Sequence, residues 1–216
     1  MQKNLFLKSE ADKWYQRNKK ILEERTFEND ILCLKITKLL NSNSKKKISL
    51  LEVGCADGTR LNLIKKKYNN IKVEGVEPSK KAINQGKKKF GIKIHRGTAD
   101  FLPIKKSSVD ILIYGFCLYL CDINDYEDIC LNANKVLKKK GTLIIYDFFS
   151  TQPIYKIYKH NKNIYSHKRD FRKIFYNFKK YSNILINYDN SKIKKKKDLV
   201  AISLLKKNEF ESLYIR

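Results

Sequence analysis

The sequence predicts an α/β domain built on a mostly parallel sheet, and three observations carry that prediction. Apolar, strand-like runs alternate with helical segments from residue 48 to residue 148, the pattern of parallel βαβ units. The first of those runs passes directly into a turn of small residues that opens a helix. The chain, at 216 residues, is long enough for one compact core and short for two.

Taken in order, two helices come first. Ser9-x-x-Asp12 is placed to cap the first, which carries Trp14, Tyr15, Ile21 and Leu22 at helical spacing. The second spans 29–40, with Ile31, Leu32, Ile36, Leu39 and Leu40 on its apolar side. A polar linker, Asn41-Ser42-Asn43-Ser44 followed by three lysines, separates them from the sheet. Residues 1–44 therefore read as a helical cap on a domain spanning 45–216, one structural unit overall. Strands follow at 48–53, 72–76, 92–95, 109–114 and 142–148, with helices at 59–67, 79–89 and 125–137. The stretch 151–180, rich in Tyr, Lys and Asn, reads as an insertion of loop with a helix near 171–179. Strands at 184–188 and 199–205, joined by a lysine-rich turn at 192–197, close the sheet.

The apolar fraction of 42% and aromatic fraction of 12% are those of a globular chain. No apolar stretch approaches the roughly 20 residues that span a bilayer, and the N-terminus lacks a signal-peptide pattern. A cytoplasmic protein is the expectation. Five cysteines without a C-x-x-C pair, and only three histidines, argue against zinc and for free thiols. No metal is predicted. The net charge of +25 comes from forty lysines and seven arginines spread along the whole chain. Lysine runs fall where helices end, which suits the helix macrodipole. A dedicated nucleic-acid surface would gather Arg and aromatics on one face, so no specific nucleic-acid partner is predicted.

The chemistry concentrates in Glu52-Val53-Gly54-Cys55-Ala56-Asp57-Gly58-Thr59. Small residues let a ligand approach the backbone, and the helix start presents unpaired N–H groups. A dinucleotide fingerprint needs its third glycine three residues after the second; here Ala56 and Thr59 occupy those places, so that reading fails. Three further segments stand downstream: Val73 to Ser79 with Glu77-Pro78, Gly97 to Pro103 with Asp100-Phe101, and Asp110 to Leu120 with Tyr114, Gly115 and Phe116.

This succession, Glu52-x-Gly54-x-Ala56-x-Gly58 included, resembles the class I S-adenosylmethionine-dependent methyltransferases, and most closely their small type 11 members. The family motif has glycine where this chain has Ala56. The resemblance covers about 48–148. It implies a Rossmann-like seven-stranded methyltransferase sheet and S-adenosyl-L-methionine as cofactor. It also implies cofactor contacts from Glu52, Gly54, Cys55, Ala56, Gly58, Glu77, Pro78, Asp100, Phe101 and Tyr114. In the family the Glu77 position accepts the ribose hydroxyls, the Asp100 position reads the adenine amino group, and the next backbone N–H reads a ring nitrogen.

For the acceptor, the Asn/Asp-Pro-Pro-Tyr/Phe motif of base amino-methylation is missing after the fourth strand, and no cysteine follows a proline. The segments 6–18 and 158–171 resemble those of small methyltransferases from bacterial surface-polysaccharide and nucleotide-sugar pathways. That resemblance implies a small sugar-like or anionic acceptor, O-methylated with His160 or His167 as general base. Trp14, Tyr15, Phe116, Tyr119 and Lys168 would then contact the acceptor. A tRNA or rRNA methyltransferase, and a cofactor-binding regulatory protein without catalysis, are the alternatives. The oligomeric state has no signature in the sequence.

Overall fold

The computed structural model describes residues 2–41, 47–175, 178–186 and 199–207. The chain opens with α1 (Gln2–Leu5), a π-helical turn (Phe6–Glu10) and α2 (Ala11–Glu23), which run on as one helical segment. After α3 (Ile31–Asn41) come β1 (Ile48–Val53), α4 (Thr59–Lys67), β2 (Ile71–Glu77), α5 (Lys80–Phe90), β3 (Ile94–Arg96) and β4 (Val109–Gly115). Then follow α6 (Tyr126–Val136), β5 (Leu137–Phe148), β6 (Ile154–Tyr158), β7 (Asn161–Lys168), β8 (Phe178–Ile186) and β9 (Val200–Lys207).

The main sheet runs β3-β2-β1-β4-β5-β9-β8. β3 through β5 are parallel, while β9 lies antiparallel to β5 and β8 antiparallel to β9. The order reverses between β1 and β4, which opens a crevice at their carboxyl ends, the usual ligand position in such sheets. Both faces are covered, so the central strands are apolar on both sides. Leu51, Val53, Leu112, Leu143 and Ile145 pack against Ile129, Cys130, Ala133 and Val136 of α6. Leu50, Ile111, Ile113 and Ile144 pack against Leu32 and Ile36 of α3 and Leu61 and Ile64 of α4.

The helix ends follow local chemistry. Asp30 Oδ1 accepts the N–H groups of Leu32 and Cys33 at the start of α3, and Ser79 Oγ accepts that of Ala82 at the start of α5. α5 stops at Gly91, whose φ of 60° is left-handed.

Three expectations are corrected. Ser9 does not cap a helix, because it lies within the π-helical turn of a segment that is already helical at Gln2. The helix near 171–179 is only a 3-10 turn, Phe171–Ile174, with β8 beginning at Phe178. The stretch before it forms an antiparallel hairpin, β6–β7. The turn expected at 192–197 lies outside the described residues. Among the described residues, no helix is long and apolar enough to cross a membrane.

Candidate functional site

The turn after β1 has left-handed backbone at alternate residues: φ is 72° at Gly54, 50° at Ala56 and 76° at Gly58. Gly54 has no substitute here, since a Cβ would lie 2.6 Å from that of Cys117. Ala56 holds its conformation without that freedom, at some cost in strain. The Ala56 N–H donates to Glu77 Oε2 at 2.9 Å, and the Ser79 N–H donates to Glu77 Oε1 at 2.9 Å. The carboxylate at the end of β2 is thus fixed by one N–H from each flanking turn. Burial pushes its pKa up to about 7.

Beneath this turn lies a buried ion cluster. Arg60 on α4 donates to Glu52 on β1, and its Nε donates to Asp30 Oδ2 at 2.9 Å. Arg25 meets the same Asp30 oxygen at 3.0 Å. Glu52 Oε1 is engaged, but Oε2 is buried without a hydrogen-bond partner. Burial raises the Glu52 pKa, with Arg60 acting against it.

The cleft above the turn encloses about 760 Å³, counting space open to solvent. Val53, Gly54, Glu77, Pro78 and Gly97 form its floor, and Asp100, Asp122 and Asp125 stand at one side. Lys3 from α1 pairs with Asp100 and, at 3.4 Å, with Asp125. Phe6, Ala11 and Trp14 roof the cleft, with Phe116, Cys117 and Leu120 opposite. The Phe116 loop is held by Asp147, whose Oδ2 accepts the N–H groups of Leu118 at 2.9 Å and Tyr119 at 3.3 Å. Burial pushes Asp147 up to about 7 as well.

Side chains clasp the roof down. Gln2 Nε2 donates to the carbonyls of Leu120 and Tyr165, while its Oε1 accepts the Tyr165 N–H at 2.9 Å. Asp12 Oδ1 accepts from Ser79 Oγ at 2.6 Å and from the Lys81 N–H at 3.1 Å. Trp14 Nε1 donates to Tyr119 Oη at 3.1 Å, and Arg17 donates to Tyr158 Oη at 3.2 Å.

Of the residues singled out in the sequence, Gly54, Glu77, Pro78, Asp100, Trp14 and Phe116 line the cleft. Ala56 and Gly58 shape the turn itself through their left-handed backbone, and Glu52 lies buried beneath it. The others are placed elsewhere. Cys55 is buried against Gly75 in the α4 layer. Tyr114 points to the α6 side of the sheet and packs on Phe175 at 5.6 Å. Phe101 is 62% exposed, and its N–H donates to Thr98 O at 3.1 Å. Tyr15 donates to Asp57 Oδ2 at 3.2 Å and packs beside Ala56 and Ala82. Tyr119 stands behind Trp14 against Phe148, and Lys168 lies 5.0 Å over the same Phe148 ring. His160 is exposed at the hairpin turn, 5.2 Å from the Tyr158 ring. His167 is buried beside Tyr155, and neither ring nitrogen has a hydrogen-bond partner; burial lowers its pKa. Neither histidine lines the cleft. Lys3, Asp122 and Asp125 were not legible in the sequence: Lys3 meets Asp100 and Asp125 from about a hundred residues away, and Asp122 reads as the cap of the short turn that holds Asn124.

Residues 50–141 match the family profile described as a methyltransferase domain. A ubiquinone/menaquinone biosynthesis C-methyltransferase, UbiE, of Campylobacter jejuni is 24% identical over 110 residues, 48% of this chain and 46% of that protein. The matched stretch thus spans about half the length of the curated relatives. Among solved structures, a TehB-like methyltransferase of Corynebacterium glutamicum superposes with a TM-score of 0.63 at 13% identity, covering 93% of this chain and 99% of that one. A geranyl diphosphate C-methyltransferase of Streptomyces coelicolor gives 0.58 at 10% identity, covering 80% of each.

Residues 50–141 carry a methyltransferase domain, the fold is that of solved S-adenosylmethionine-dependent methyltransferases, and S-adenosylmethionine is the cofactor this likeness implies. The site fits that group. Gly54, without a side chain, lets the backbone of the turn line the cleft, and Glu77 presents there a carboxylate fixed by two backbone N–H groups and suited to accept from hydroxyl groups.

Proposed function

We propose that the chain methylates a small, largely apolar acceptor seated between the turn after β1 and the helical roof. Bound S-adenosylmethionine supplies a methyl group on an already activated sulfonium. The protein's part is then to hold, orient and keep water out. Glu77 would accept the ribose hydroxyls and Asp100 the adenine amino group, once Lys3 has released it. Four acids lining the cleft, Glu77, Asp100, Asp122 and Asp125, suit a cationic ligand in a protein of otherwise strongly positive charge.

The observation that carries the acceptor reading is the apolar part of the lining: Phe6 and Trp14 from the roof and Phe116 and Leu120 facing them offer apolar surface, and no histidine lies among the lining residues. O-methylation of a sugar has less to rest on, because His160 and His167, its expected bases, stand outside the cleft. The names of two relatives, in ubiquinone/menaquinone biosynthesis and on geranyl diphosphate, agree with an apolar acceptor.

Titration calorimetry with S-adenosylhomocysteine tests the cofactor half. Glu77→Ala removes hydrogen bonds to a charged acceptor and should weaken binding about 10- to 150-fold. Unchanged affinity in a folded variant overturns the assignment. For the acceptor half, a cell extract is incubated with the protein and methyl-labelled cofactor. Label should enter the fraction extracted by organic solvent; label in sugar nucleotides or RNA overturns the apolar reading.

A further inference from the structure

The β6–β7 hairpin has two unlike faces. One carries Tyr158 and Ile164, buried against Leu120 with Leu5, Phe6, Trp14 and Tyr119 beside them. On the other, the register sets Ile157 across from Tyr165 and Tyr155 across from His167. Cross-strand partners share a face, so Tyr155, Ile157 and Tyr165 form one apolar group. They are 47%, 61% and 50% exposed. Lys159 and Lys162, by the hairpin turn, are exposed beside this group, Lys156 is exposed on the opposite face, and no acid occurs from Phe148 to Arg169.

We propose that this outer face docks on the headgroup–acyl boundary of a bilayer rich in anionic lipid. An exposed isoleucine between two tyrosines suits that boundary, where amphipathic rings and apolar side chains are buried to a shallow depth. Lysines without compensating acids are drawn to a negative leaflet. The central Ile157 offers nothing to a phosphate backbone, which favours lipid over RNA. The buried face of the same hairpin packs on Trp14 and Leu120, which line the cleft, so docking sets the cleft beside the membrane. The proposal rests on these surface residues alone and does not depend on the acceptor reading.

Flotation with vesicles of phosphatidylcholine and phosphatidylglycerol, against phosphatidylcholine alone, tests it. The protein should float with the anionic vesicles. Ile157→Asp should weaken that partitioning about 10-fold or more, and so should Lys159 and Lys162 both changed to Gln. Lys105→Gln with Lys106→Gln changes exposed lysines on a different loop and should have little effect. Ile157→Asp should keep its affinity for S-adenosylhomocysteine, which separates lost docking from a lost fold or a lost cofactor site. The proposal is overturned if the protein ignores anionic vesicles, if Ile157→Asp floats as well as the parent, or if the Lys105 and Lys106 changes cost as much as those in the hairpin. Binding of structured RNA through these lysines, without vesicle binding, also overturns it.

Discussion

Around Glu77 the holds are short and made by backbone: N–H groups of Ala56 and Ser79, 21 and 2 residues away, grip one carboxylate. The roof is held by side chains that cross the whole chain, Gln2 to Tyr165, Lys3 to Asp100 and Trp14 to Tyr119, over 163, 97 and 105 residues. The first region is a platform whose parts fail together. The second is a set of separate clasps, each worth about 1 kcal/mol, that can let go one at a time.

The strongest way to break the comparison is at the platform's base. Arg60→Met leaves Glu52 and Asp30 buried without their shared guanidinium and should destabilise the fold by about 3–5 kcal/mol, read from urea unfolding. A loss no larger than that of a roof clasp would erase the distinction. Gly54→Ala comes next. It forces left-handed backbone on an L side chain and drives its Cβ toward Cys117, for about 2–4 kcal/mol together, with cofactor affinity falling in step.

A pH series sharpens the contrast further. Glu77 and Asp147 are pushed up to about 7 by burial, from ordinary values of 4.5 and 3.8. Through these two groups the native state binds more protons than the unfolded chain between those limits. Their contribution to stability should therefore fall as pH rises through that window and level off above about 7. His167, lowered by burial, contributes in the opposite sense. Affinity for S-adenosylhomocysteine should rise over the same range, because hydroxyl groups donate to the ionised Glu77. Melting temperatures of the parent and of Glu77→Gln, measured from about pH 5.5 to about 7.5, read the Glu77 contribution to stability, and equal slopes would overturn it. Glu77→Gln should remove its share of the slope. At the roof, Trp14→Phe should cost only about 1 kcal/mol through the lost bond to Tyr119. Lys3→Met, which frees Asp100, should tighten S-adenosylhomocysteine binding by up to about 5-fold. Weaker binding would instead make Lys3 part of the cofactor site.

The platform was legible in the sequence because its chemistry is local: small residues at Gly54, Ala56 and Gly58, then an acid ending the next strand. The direction of Tyr114, toward α6, was not legible for a physical reason. A strand buried on both faces has no polar side to show which way each residue points. The Phe101 N–H is bonded within its own turn, to Thr98, a local bond that the residue order alone does not show. His160 and His167 were chosen by residue type, and the hairpin that carries them away from the cleft was read as loop. Nothing in the spacing of Gln2 or Lys3 hints at partners a hundred residues off.

Asp30 heads α3 and shares Arg60 with Glu52, while Leu32, Ile36 and Leu40 of that helix enter the core beneath the sheet. α1 and α2 rest on the clasps and a small apolar cluster in which Tyr15 and Leu22 meet Ala56 and Ala82. Residues 1–44 therefore do not form one exchangeable piece. A chimera joined after residue 44 would strand Arg60 against a foreign partner. One joined at Glu24, ahead of Arg25, would trade only the roof. The residues that roof the cleft and those that anchor the core are thus carried on separate stretches of the chain, and the seam between them lies in the exposed turn before Asp30.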